Sequence, residues 1–210
     1  MFLFRYSMII SLSIILLANK APRVSLAGKP GGKTQWIVQK TSTLSIDGRT
    51  NVNRFSCAVA EYTEPDTISC FKSISPNNPQ GVPLQGVLRI NIDAFNCHNR
   101  IMTAEFKKTL KYKQYPQLKV CFVSLEKMPF SGNGSETIKG NVDIELAGLS
   151  RRFEINYTSC KTDAGEFQLV GNHTFCFSDF QLQPPQRMGG LIRVNDQLKV
   201  QFILFLKQME

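Results

Sequence analysis

Histidine occurs only twice in the 210 residues, at His98 and His173, and neither stands at a recognisable spacing from a carboxylate. The chain has no Gly-x-Ser-x-Gly elbow, no phosphate-cradling glycine loop and no His-Glu-x-x-His pair, which removes the common sequence signatures of hydrolases, nucleotide enzymes and zinc proteases. No Cys-x-x-Cys occurs among the six cysteines, so zinc-ribbon and thioredoxin-like sites fail on spacing. Internal repeats and a domain linker are also missing. No apolar run reaches the roughly 18 residues that a membrane helix needs. These gaps lead us to expect a non-enzymatic protein without cofactor or metal.

What is present begins with residues 8–18 (MIISLSIILLA), an uncharged apolar run of signal-peptide length. Small residues at Ser25 and Ala27 favour cleavage before Gly28. That yields residues 1–27 as an export signal, 28–33 as a flexible leader and 34–207 as one folded domain, periplasmic or extracellular. No cysteine lies near the cleavage point, so lipoprotein attachment is not expected. The whole chain carries +9. Loss of Arg5, Lys20 and Arg23 leaves about +6 on the exported part, too little to require a nucleic-acid partner. The hydrophobic share of 42% is ordinary for a globular chain and argues against disorder.

Strand signals then dominate. Leu44 and Ile46, then Leu88, Ile90 and Ile92, then Leu198, Val200, Phe202, Leu204 and Leu206 alternate with polar neighbours, as half-buried strands do. Residues 75–83, 131–135 and 163–165 read as turns, and a β-hairpin about 163–165 sets Cys160 opposite Gln168. One segment differs: Asn99 caps a helix over residues 99–111, with Met102, Phe106 and Leu110 on one face and lysines at its end. Eight or nine strands plus one helix predict an antiparallel barrel or sandwich.

Exported cysteines can form lasting bridges. Phe55-Ser56-Cys57 and Phe95-Asn96-Cys97 repeat a Phe-x-Cys pattern at two strand edges, which favours Cys57–Cys97, with Cys57–Cys70 as the rival. His173, on an apolar face, reads as a core or rim residue. Large apolar inward candidates are Phe106 and Leu110 from the helix and Phe122, Val142, Ile144, Phe153, Phe167 and Phe202 from the strands.

Several segments, in order, resemble the YceI-like family. Residues 110–122 look like its helix running into Tyr-Pro and a strand. Ile138-Lys139-Gly140 with Leu146-Ala147-Gly148-Leu149 and Arg152 resembles its paired strands about a glycine turn. Residues 178–185 (SDFQLQPP) resemble its Asp-Phe-Gly-Ile-type loop, and residues 196–206 its closing strand. Gln181 stands where that family usually has glycine, and Thr41-Ser42 where many members have His-Ser. The resemblance implies an extended, eight-stranded, lipocalin-like barrel that holds an isoprenoid quinone or polyprenyl-type lipid. Phe180 and its loop would then flank the cavity, and the helix would border its opening. A peripheral membrane contact and a homodimer stay open. The competing expectation is a secreted basic module that binds acidic envelope polymer or lipid head groups without a cavity ligand.

Overall fold

The computed structural model describes residues 32–71, 81–130, 134–162 and 166–209. The expected export signal lies outside them, as do most of the leader and the centres of the three expected turns. The described chain runs β1 (Lys33–Val38), β2 (Thr43–Thr50), β3 (Arg54–Val59), β4 (Thr67–Phe71), β5 (Val82–Asn91), α1 (Arg100–Thr109), β6 (Gln117–Leu125), β7 (Glu136–Leu146), β8 (Leu149–Lys161), β9 (Phe167–Cys176), β10 (Gln186–Arg187) and β11 (Ile192–Gln208).

Eight of these strands close a ring, all pairs antiparallel: β1 joins β4, the sheet continues β5-β6-β7-β8-β9-β11, and β11 returns to β1 through Trp36–Gln208, Ile37–Lys207 and Val38–Leu206. Closure removes the open edges that a sheet would otherwise expose. The expected eight-stranded barrel with a single short α-helix is what forms.

Beyond the Val38–Leu206 pair the ring divides. The chain bends at residues 39–42, where the buried Ser42 hydroxyl accepts from the Phe205 N–H at 3.0 Å. β2 then takes over the same edge of β11, from Ile203–Thr43 to Val194–Thr50, and β3 folds back on β2. Among the described residues β3 meets no full strand on its far side. A single bridge, Ala58–Asn96, and the Cys57–Cys97 disulfide tie it to the chain just before α1. The barrel wall therefore has a seam on this side, and the disulfide crosses it. Cys70, Cys121, Cys160 and Cys176 are free thiols. Cys160 lies opposite Gln168, as the hairpin register requires.

Three expectations need correction. The described residues form eleven strands, because two residues of β10 pair with an early extension of β11, which starts at Ile192 and not near Leu198. Strand β5 starts at Val82, inside the segment read as a loop; Pro83 is accommodated at a register shift between Pro83 and Gly86, where a missing N–H is tolerated. The helix is shorter than residues 99–111. Asn99 caps it as expected, its Oδ1 accepting from the N–H groups of Ile101 and Met102 at 3.0 Å. It stops because Lys111 turns into left-handed geometry (φ 55°), four residues before Tyr115-Pro116.

Gln181 is also left-handed (φ 53°, ψ 34°), ending the short helical turn Phe177–Phe180. A side chain is strained there and glycine is not, which explains why glycine suits this position. Gln181→Gly is expected to raise the unfolding free energy by about 1 kcal/mol in urea titration. An unchanged or lower midpoint would show that the Gln181 side chain offsets its backbone cost.

A candidate apolar ligand cavity

The barrel interior is packed at one end and hollow at the other. At the packed end, Trp36, Ile68, Leu125, Ile138, Tyr157 and Leu206 are buried together. Aromatic rings close that end: Trp36 lies 5.9 Å from Phe130 edge-on, and Phe130 lies 4.5 Å from Phe167. Nearby, Tyr62 donates to the Asp66 carboxylate at 2.6 Å, while the Arg89 N–H and guanidinium also engage Asp66. This polar knot lashes the β3–β4 connection to β5. Burial and the neighbouring carboxylate hold the Tyr62 hydroxyl protonated, well above the usual phenol range.

Toward the other end, the same strands enclose a cavity of about 100 Å³ within a void that measures about 1060 Å³ with its open mouth included. The contributions follow alternation: Leu44 and Ile46 from β2, Leu88 and Ile90 from β5, Leu118 and Val120 from β6, Ile144 and Leu146 from β7, and Leu198, Val200, Phe202 and Leu204 from β11. Helix α1 lies beside the barrel, with Phe106 and Leu110 facing the cavity and Phe106 edge-on to Phe95 at 5.5 Å. The turn Phe177–Phe180 and Leu182 complete the rim.

Few polar side chains reach the lining, and their hydrogen bonds go elsewhere. Ser42 is held by Phe205 N–H and Tyr62 by Asp66. The Cys176 thiol is pushed up by partial burial and by the charges of Asp179 and Asp196. A wall of this kind gives a polar ligand nothing to bond, so a polar group inside it would bear its full desolvation cost. For a hydrocarbon chain, burial is favourable by about 0.8 kcal/mol per methylene before ordering costs.

Of the nine expected lining residues, Phe106, Leu110, Ile144, Phe180 and Phe202 meet at the cavity. The other four lie elsewhere in the interior. Phe122 and Val142 are buried but do not line the cavity. Phe153 stands behind the lining, 4.8 Å from Phe175 and 5.9 Å from Phe180. Phe167 belongs to the aromatic closure of the packed end. Alternation identified the inward faces and could not tell which level of each strand is hollow. Phe95, Tyr62 and Ser42 also line the cavity without being expected there: Tyr62 and Ser42 sit in no alternating run, and Phe95 ends one off the Leu88–Ile90–Ile92 face.

Phe202 owes its pose to a neighbour without a side chain. Gly171 pairs with it across β9 and β11, and a Cβ at Gly171 would fall 2.0 Å from the Phe202 ring. The ring therefore lies over bare backbone, 5.7 Å from Tyr157. His173 sits edge-on to Phe153 at 5.5 Å and 4.5 Å from Phe175, and burial lowers its proton affinity. It is a neutral, half-buried residue at physiological pH.

The described thiols with displaced acidity are all displaced upward: Cys70 by burial to about 11, and Cys121 and Cys176 by burial and neighbouring carboxylates. A nucleophilic cysteine needs the opposite shift. Among the described residues no group of three or more His, Cys, Asp or Glu converges to hold a metal ion.

No protein-family model matches the chain, and no curated protein is significantly similar to it. Solved structures are. A polyisoprenoid-binding domain from Saccharophagus degradans, implicated in plant cell wall breakdown, superposes with a TM-score of 0.58 at 10% identity, covering 82% of this chain and 97% of that one. BcnA from Burkholderia cenocepacia superposes with a TM-score of 0.56 at 15% identity, covering 78% and 95%. A YceI protein from Campylobacter jejuni overlaps more loosely, with a TM-score of 0.46 at 17% identity, covering 68% and 81%. The likeness to the first two establishes the fold, and it is the barrel that the sequence resemblance implied.

Proposed function

We propose that this protein of YceI-like fold is an exported carrier that holds a long apolar lipid of the isoprenoid type in its barrel, without catalysing a reaction on it. The observation that carries the reading is the cavity: an interior hollow walled almost entirely by hydrocarbon, where the Ser42 and Tyr62 hydroxyls are bonded to Phe205 and Asp66. The likeness to a polyisoprenoid-binding domain supports the chemical class of the ligand. The disulfide across the seam supports an oxidising compartment, and cleavage before Gly28 would deliver the chain there.

Size refines the ligand. A cavity of about 150 Å³ with similar walls takes up benzene. The cavity here is therefore enough for a short stretch of chain, and the remainder must lie outside it. A flexible, unbranched-to-methyl-branched chain fits this better than a rigid ring system, because it can thread between α1 and the rim.

Organic extraction of protein purified from an exporting host, followed by mass spectrometry, tests the proposal. We expect a polyprenyl or isoprenoid-quinone species at a stoichiometry approaching one. Repeated recovery of lipid-free protein that also fails to take up added isoprenoid would reject it. A polar or fatty-acyl ligand at that stoichiometry would keep the cavity and replace the ligand class.

A further inference from the structure

The described residues include five strongly exposed large hydrophobic side chains: Val52, Ile101, Met188, Leu191 and Met209. Three of them belong to one corner of the molecule. Val52 tips the β2–β3 turn, while Met188 and Leu191 stand on the short turn between β10 and β11, and they are 61%, 70% and 70% exposed. Asn51 joins the two turns. Its Nδ2 donates to the Leu191 carbonyl at 2.8 Å, its Oδ1 accepts from the Arg193 N–H at 3.0 Å, and its own N–H donates to the Arg193 carbonyl at 3.1 Å. The Thr50 hydroxyl accepts from the N–H groups of Val52 and Asn53, which tightens the turn beneath Val52.

Met188 departs further from the ordinary. Its backbone is left-handed (φ 52°), as are those of Gly189 and Gly190 after it. A strained methionine that then points into solvent gains no packing in return. The corner is thus rigidly built, and what it presents is apolar.

Its surroundings are cationic. Arg49, Arg54, Arg187 and Arg193 flank the three hydrophobic residues, all exposed, and none forms an ion pair among the described residues. Residues 48–60 and 180–195 contain no Asp or Glu. The nearest acid beyond them in β11, Asp196, is taken up by the backbone N–H and hydroxyl of Ser178. Arginine, planar and weakly hydrated, engages phosphate through paired N–H groups while its stem lies along apolar surface.

We propose that this corner docks on an anionic phospholipid bilayer, with Val52, Met188 and Leu191 entering the boundary between head groups and acyl chains and the four arginines on lipid phosphates. Exposed apolar tips ringed by basic residues bind such surfaces by burial and charge together. The position suits a carrier. Strand β2 runs from the cavity-lining Leu44 and Ile46 directly to this corner, and the segment after the lining residue Leu182 reaches it through Pro184 and Pro185. Docking would bring the hollow end of the barrel to the lipid source, so the inference deepens the carrier reading.

The other basic surface is the groove beside α1, which includes Arg100, Lys108, Lys111 and Lys113, with Lys107 already held by Asp93 at 2.9 Å. It supplies the control. Protein purified from an exporting host is cosedimented with phosphatidylglycerol–phosphatidylcholine vesicles and with pure phosphatidylcholine vesicles. We expect retention on the anionic vesicles only, reduced about tenfold or more by Met188→Ser/Leu191→Ser and by Arg54→Glu/Arg187→Glu, and retained by Lys108→Glu/Lys111→Glu. All six positions are solvent-accessible, and circular dichroism confirms folding of each variant. The proposal is overturned if the parent ignores anionic vesicles, if both corner variants bind like the parent, or if the loss moves to the α1 variant. It also fails if the corner variants change only the oligomeric state, which would make this an interface between copies. Lipid extraction from the same preparations reads the carrier function separately: a loaded protein that ignores vesicles sinks docking alone, and an empty one that docks sinks the carrier alone.

Discussion

Replacing Cys57 and Cys97 together by alanine is expected to cost about 4 kcal/mol of folding stability, the largest effect of any two-residue change proposed for this protein. The bridge spans 40 residues of sequence, and in the chain-entropy account a loop of that size restricts the unfolded chain to about this extent. Both cysteines are buried, so alanine avoids adding a buried hydroxyl. For a domain of this length the change corresponds to a melting temperature lower by about 8–16 °C. Thermal unfolding of the variant and of the parent with and without reductant measures it. Alkylation in denaturant without reductant should label four thiols, and six after reduction. A variant as stable as the parent would mean that the bridge constrains little in the unfolded chain. The loss has a local side as well. Apart from the single Ala58–Asn96 bridge, the disulfide is what ties β3 to the chain before α1, so its removal should loosen the wall beside Phe95 and Phe106.

Filling the hollow is the second large effect. Ile144→Trp places a ring in the cavity from β7, where its neighbours Val120 and Leu146 also face the void. Co-purifying lipid should fall about tenfold or more, since the added ring occupies much of the closed space. Overpacking costs about 1–3 kcal/mol, less where a void receives the side chain. Val142→Ala is the matching control. It lies in the same strand, fully buried but away from the lining, so it should lose stability by about 2 kcal/mol and keep its lipid. Undiminished lipid in the tryptophan variant, or loss in the alanine variant alone, would place the ligand elsewhere.

The difference between Ile144 and Val142 also marks how far the sequence could be read. Both alternate inward on β7, and period-two patterning assigns each a face and nothing more. Which level of the barrel is empty depends on stagger between strands and on rings supplied from distant segments, such as Phe130 against Phe167 and Trp36. The barrel itself was legible because β5, β7, β9 and β11 each carry long, regular alternation, and the helix because Asn99 and the Met102–Phe106–Leu110 stripe agree. The disulfide was legible from two matching strand-edge motifs. Strand β10 and the first residues of β11 were not, since Gln186, Arg187 and Arg193 carry no apolar period; pairing alone makes them strand. The docking corner is invisible for the same reason. Val52 and Leu191 lie far apart in sequence, and the Val194–Thr50 pairing together with the Asn51 hydrogen bonds brings their turns together.

The pairing of β1 with β11 has a consequence for how the chain comes to be folded. Trp36 must find Gln208, and Val38 must find Leu206, across nearly the whole described length. Contacts of such long sequence separation are slow to form, because the loop entropy is spent before any stabilisation arrives. The ring can close only after the last strand has emerged from the ribosome. Hairpins such as β7–β8 and β8–β9 can form earlier, but the first strand has to wait for the last. A nascent chain of this design keeps its ring open at least until β11 has been made.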